Sequence, residues 1–229
     1  MKKLSVYVFL IMLSPIVVSA QLDQAGMYNR IMLENWNGQY QRVGAYKVKG
    51  TPYLFGQALN SSYTITGDSL PLTGKFLYDM FEQKAGPEQN GAIVIYDKPV
   101  ERFTVEVPEK FGGNKLTFKM DTYGLSKKTL LYFNVLEEGI NYHFLKLFKT
   151  KVSMDPTNMY DKELRLFENY FEFYVYNSKS KTLKKVKLNA KSILDALTET
   201  PDAEQKAKDL NVSFSNEQQI ASFIQTLNN

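Results

Sequence analysis

His143 is the only imidazole in the chain, and there is no cysteine. Any Ser-His-acid triad, and any histidine-bearing metal centre, has to be assembled around that one ring. The ring stands between Tyr142 and Phe144 in an apolar run, and no Gly-x-Ser-x-Gly elbow occurs anywhere in the sequence. A structural or surface histidine is the expectation. With one His and no thiolate, a metal centre would have only carboxylates to draw on, so no catalytic residue, metal or cofactor is assigned.

Carboxylates are the remaining route to an enzyme. Glu137 with Glu138, Glu106 with Glu109, and Asp161 with Glu163 are close enough in sequence for two acids to meet, as glycoside hydrolysis requires. Each pair falls in an apparent turn or loop, where acids are ordinarily solvated, and a carboxylate-dependent hydrolase is kept as an alternative. Asp155-Pro156-Thr157-Asn158 has the composition of a calcium loop but lacks the glycine and terminal glutamate of an EF-hand. Gly86-Pro87 and Gly112-Gly113 read as turn punctuation and match no phosphate-cradling pattern. Lys181, Lys184, Lys185 and Lys187 make a candidate basic surface for an anionic glycan; a solvated hairpin face that resists edge pairing is the plainer reading. Asp68-Ser69-Leu70 matches an Asp-Ser/Thr-aliphatic acceptor pattern, similar to that of some Gram-negative bacteria, which makes Ser69 a candidate O-glycosylation site.

The elements that must position these groups are mostly strands. Short β-rich runs punctuated by Gly, Pro, Asn and Asp fill the region from about residue 39 to 189. They include Arg42 to Val48, Ser62 to Thr66, Lys75 to Phe81, Ala92 to Tyr96, Arg102 to Val107, Lys115 to Met120, Leu130 to Leu136, Tyr142 to Lys149, Tyr170 to Tyr176 and Leu183 to Leu188. Period-two alternation sends Phe171, Phe173 and Val175 to one face and Glu172, Tyr174 and Tyr176 to the other. Glu137-Glu138-Gly139 reads as a tight turn. The 15 Tyr and 15 Phe are either core volume or the lining of a pocket for a small apolar ligand. From about residue 190 the period changes. Ser215 and Gln218 suggest a capping box, followed by Ile220, Phe223, Ile224 and Leu227 at helical spacing. Pro201 is expected at the first helical position of a preceding helix, after a shorter one around Ile193, Leu194 and Leu197. The fold class is therefore mainly β (α+β): an antiparallel sandwich or partly closed barrel of about ten strands, with a small C-terminal helical tail.

Charge and the first residues speak to compartment. Residues 1–20 read as a secretory signal: Lys2 and Lys3, an apolar run from Leu4 to Leu13, Pro15, and Val18-Ser19-Ala20 before a cleavage point between Ala20 and Gln21. Those two lysines are the only charged residues of the segment, so the formal charge of +4 falls to +2 on its removal. That leaves no electrostatic case for a nucleic-acid partner. Residues 21–38 follow as an N-terminal segment with a weak helical stripe. No later stretch has the ~18 apolar residues of a membrane-spanning helix. A periplasmic or secreted product is the expectation.

Lys49-Gly50-Thr51-Pro52-Tyr53-Leu54, then Tyr132-Phe133-Asn134-Val135-Leu136-Glu137-Glu138-Gly139, Phe144 to Lys151, Tyr174-Val175-Tyr176, and Val186 to Leu194 come in an order that resembles a secreted-protein family of Gram-negative bacteria with no assigned function. The likeness runs from about Val48 onward and departs between Leu54 and Lys84, where that family carries a more polar, tyrosine-rich strand. It implies an envelope location and a β-rich fold, and transfers no active site. The expected role is an exported binding or envelope-accessory protein, its partner an envelope protein, a small apolar ligand or a glycan. A carrier with an aromatic-lined pocket is the first alternative and the hydrolase the second.

Overall fold

A computed structural model describes residues 40–43, 46–157 and 163–228. The expected signal and its Ala20/Gln21 cleavage point, the 21–38 segment, Asn158 and Asp161 lie outside the described residues. Among the described residues, twelve strands and three helices follow one another: β1 (Tyr40–Val43), β2 (Tyr46–Lys49), β3 (Leu59–Ile65), β4 (Leu72–Asp79), β5 (Lys84–Gln89), β6 (Ala92–Ile93), β7 (Val100–Glu106), β8 (Lys115–Met120), β9 (Tyr132–Glu138), β10 (Tyr142–Met154), β11 (Leu164–Asn177), β12 (Thr182–Val186), α1 (Ala190–Leu194), α2 (Ala203–Asp209) and α3 (Glu217–Asn228). The strands form one sheet in the order β1-β2-β11-β10-β9-β8-β7-β3-β4-β5-β6, and β12 also pairs with β11. Neighbours run antiparallel except β2 and β11, which pair in parallel through Lys47 with Leu164 and Lys49 with Leu166. The sheet is thus mixed.

It curls without closing into a barrel. The amide of Thr150 in β10 reaches the carbonyl of Met80, just past β4, at 3.1 Å, so the two arms of the sheet face one another like a sandwich. Aromatic rings fill the space between them. Phe76, Phe103 and Phe118 come from β4, β7 and β8; Phe103 lies 4.8 Å from each of the other two, and Phe118 meets Phe148 of β10 edge-on at 5.4 Å. Tyr78 meets Phe103, Phe118 and Tyr132 edge-on, and its hydroxyl donates to Gln83 Oε1 at 2.9 Å. Each such ring contributes about 1.5–3 kcal/mol of burial.

β10 is buried on both faces from Phe144 to Phe148, where Lys146 alone interrupts the apolar residues. Tyr142 and Phe144 meet Ile220, Phe223, Ile224 and Leu227 of α3, while Leu145 and Leu147 join Phe133, Leu131 and Tyr174 on the opposite face. In β11, Phe173 and Val175 join the helix side and Tyr174 and Tyr176 the other, as the alternation predicts.

Several local expectations are corrected. Gly86-Pro87 is strand, not turn: both lie in β5, where a side chain at 86 would meet the carbonyl oxygen of Val94 at 2.4 Å, so only glycine allows β6 and its extension to approach. The expected Ala92 to Tyr96 strand stops at Ile93. Glu137 and Glu138 are the last residues of β9, paired with Phe144 and His143, and the turn begins after them. The cap of α3 is Asn216, whose Oδ1 accepts from the amides of Gln218 and Gln219; Ser215 is engaged by the Ser213 hydroxyl instead. Pro201 sits one residue before the cap Asp202, outside α2. That helix ends in a Schellman motif, with Asn211 at φ 49 and the Val212 amide on the Ala207 carbonyl.

Candidate functional site

A cleft of about 580 Å³ opens where three non-strand segments meet: the β4–β5 turn, the 94–99 segment ahead of β7, and the 121–131 loop ahead of β9. Each is fixed by identifiable residues. The turn is stitched by Gln83, which sits at φ 57 and donates from Nε2 to the carbonyls of Met80 and Phe148, both at 2.8 Å. Asp79 tightens it by accepting from the amides of Phe81 and Glu82. The 94–99 segment is held by Thr66, whose amide and hydroxyl both donate to the Pro99 carbonyl. The loop is wound around Asp121, which accepts from the amides of Tyr123, Gly124 and Ser126, and Ser126 Oγ in turn accepts from the amides of Lys128 and Thr129.

The walls are largely apolar and open. Ile95 is 65% exposed, Leu130 39% and Tyr96 37%, whereas Tyr132 and Gln83 at the floor are buried. Burial pushes the Tyr132 phenol up. Burial, and then the neighbouring Tyr96 phenol, push Tyr63 up to about 12. Charges ring the mouth. Lys84 is engaged by Glu82 at 2.6 Å. Lys98 and Lys128 have no carboxylate within ion-pair distance among the described residues. Asp97 is the remaining acid of the lining.

His143 lies elsewhere, on the outer face of β10. Its Nδ1 is 3.0 Å from the Tyr123 hydroxyl and its Nε2 3.5 Å from Ser178 Oγ. Its cross-strand neighbour Glu138 is committed to Arg102 at 3.1 Å and to Lys119. Burial opposes ionisation of Glu138, but these two cations outweigh it and hold the carboxyl below its ordinary range. Neither ring nitrogen carries a carboxylate contact, so a serine and an imidazole are brought together without the acid that orients a triad. Burial lowers the affinity of His143 for a proton. The ring acts as a knot, fastening Tyr123 of the cleft loop and the β11–β12 turn to the same strand.

The other candidates are scattered. Glu137 and Glu138 project to opposite faces of β9. Glu106 is engaged by Lys115 and by the Asn60 amide, and Glu109 opens a 3-10 turn. Asp155 Oδ1 accepts from the amide and hydroxyl of Thr157. Among the described residues no group of three or more His, Asp or Glu could hold a metal ion, and no helix is long and apolar enough to cross a membrane. Along β12, alternation splits the lysines: Lys184 Nζ donates to the Asp195 carbonyl at α1, while Lys185 pairs with Glu172 on the opposite face. Lys181 occupies the preceding turn at φ 54, and Lys187 follows the strand. Ser69 is exposed in the β3–β4 connection beside Leu70, itself 77% exposed.

Sequence reasoning passed over Tyr96, Lys98, Lys128 and Leu130. The usable signal was the paired loop chemistry, Asp97-Lys98-Pro99 and Asp121 to Thr129, flanked by apolar residues that no strand face needed. Compared with known proteins, the chain matches no family model, no curated protein and no solved structure.

Proposed function

We propose that the chain is an exported binding module of the Gram-negative envelope, periplasmic or secreted, and that its ligand seats in the cleft between the β4–β5 turn, the 94–99 segment and the 121–131 loop. One observation carries this reading. The chain's aromatic rings pack the interior against one another, yet Ile95, Tyr96 and Leu130 are left open around a pocket of about 580 Å³, a size suited to a small molecule. The segments that build the pocket are pinned by buried or paired polar groups, so the site is preformed and loses little entropy on binding. A carrier role follows from the same cleft: the apolar ligand lies in an open pocket rather than inside the sheet. Export rests on the signal-like first 20 residues and on the resemblance to a secreted family.

Two measurements test the proposal. Expression of the full chain in a Gram-negative host should deliver a periplasmic product whose N-terminus is Gln21; a cytoplasmic chain still carrying Met1 would contradict export. Native mass spectrometry of that product should detect a bound small molecule that is lost in Ile95→Asp. Occupancy unchanged by that substitution would place the ligand elsewhere.

A further inference from the structure

We infer that the ligand of this cleft is an anionic amphiphile, an apolar chain or ring carrying a single carboxylate, an inference that rests on the cleft being the binding site. The lining divides by chemistry. Ile95, Tyr96, Leu130 and the edge of Val100 offer a hydrocarbon surface, more apolar than polar, in which an acyl chain gains by leaving water. Around it stand three lysines and two acids, and pairing decides what they offer a ligand. Glu82 is occupied by Lys84 at 2.6 Å, and the two cancel. Lys98 and Lys128 have no carboxylate within ion-pair distance among the described residues, against the one remaining acid Asp97, and the Lys98 ammonium lies at the rim, close against Gly67 of the β3–β4 connection.

The excess is therefore cationic, and it stands on the rim of the apolar surface. A neutral ligand would leave those two charges unused, and a cation would be repelled by them. A carboxylate gains a charge-assisted hydrogen bond from either ammonium. The positions are also fixed by the loop chemistry: Ser126 Oγ accepts from the amide of Lys128, and Pro99, next to Lys98, is held through its carbonyl by Thr66. These backbones do not have to be ordered when the ligand arrives.

Calorimetric titration of the mature chain with three probes tests this: dodecanoate, dodecyl maltoside with the same tail and no charge, and acetate with the charge and no tail. Dodecanoate should bind at least about 10-fold tighter than dodecyl maltoside, acetate should bind too weakly to measure, and raising the salt should erode the difference. The double variant Lys98→Glu/Lys128→Glu should weaken dodecanoate about 10-fold and change dodecyl maltoside by less than about twofold, because those side chains lie on the rim. Ile95→Asp should weaken both amphiphiles. The substituted positions bear little on packing, and unchanged thermal melting verifies the fold. Equal affinity for the two amphiphiles, unmoved by the lysine double variant but lost in Ile95→Asp, overturns the anionic class and leaves the cleft as the site. Binding of neither amphiphile, or binding indifferent to Ile95→Asp, overturns the site together with the class.

Discussion

β10 runs through two regions that are stabilised in different ways. Around Phe148 the strand faces an interior of rings drawn from β4, β7 and β8, in which the Tyr78 hydroxyl is taken up by Gln83. Around Tyr142 to Lys146 it faces α3, and there burial is reinforced by polar locks. Lys146, 2% exposed along its side chain, reaches Glu217 at 2.8 Å across the rings of Phe171 and Phe173. Asn228 accepts from the amides of Asn141 and Tyr142 and donates to the Tyr142 carbonyl, its carboxamide filling the place where Gly139 has no side chain. The aromatic region derives its stability from area and shape, the helix-capped region from area plus a few positioned charges and amides. Mutation and pH should therefore separate them.

The largest effect belongs to the aromatic region. Phe103→Ala removes a fully buried ring that touches Phe76, Tyr78, Phe118 and Tyr132, and should cost about 3–5 kcal/mol in urea unfolding, with no pH dependence. A cost below about 1 kcal/mol would mean that the rings are loosely packed. Next comes the charge lock. Lys146→Ala removes the ion pair with Glu217 and should cost about 2–3 kcal/mol, less than the 3–5 kcal/mol of a fully buried pair because Glu217 is 21% exposed. Hydrogen exchange should rise in α3 first while β7 and β8 keep their protection; uniform loss would show that the two regions unfold as one.

pH gives a third, smaller contrast. Burial works against the charge of Glu172, but hydrogen bonds from Lys185, Tyr174 and Lys149 prevail and set its pKa to about 2. A carboxyl depressed in the folded state stabilises above its unfolded pKa, near 4.5, and loses that contribution as pH falls towards 2. With Lys185 largely exposed, the share is about 1–2 kcal/mol. His143 acts in the same direction at higher pH, since a proton affinity lowered by burial means that acidification through its ordinary range favours the unfolded chain. In Glu172→Gln the stability slope between pH 5 and 2 should flatten; an unchanged slope would assign the acid sensitivity elsewhere. The smallest effect is expected from Asn216→Ala, which unties the amides of Gln218 and Gln219 and should cost about 1 kcal/mol, again felt first in α3.

The parts of the fold legible in the sequence are those in which one local period decides the answer. β8 has the bounds its alternation suggests, and the stripe of Ile220, Phe223, Ile224 and Leu227 is the buried face of α3. Where two local rules compete, the sequence is ambiguous. Gly86-Pro87 has turn composition, yet the approach of Val94 needs a strand without a side chain there. Ser215 and Asn216 both suit a cap, and it is Asn216 that takes the role while Ser215 bonds with the Ser213 hydroxyl. The cleft was the least legible part. Gln83, Tyr96 and Lys128 come from three loops brought together by tertiary contacts such as that of Met80 with Thr150, and no short-range pattern records them.

The parallel pairing of β2 with β11 has a consequence in time. Hairpins join β7 to β8, β9 to β10 and β11 to β12 over short loops, whereas Lys47 must find Leu164 across most of the described chain. Closing so long a loop earns few contacts before β11 itself exists, so the early strands are seated last. Refolding should accordingly be paced by this one ladder, with the edge of β11 near Leu164 the last part of the sheet to gain protection.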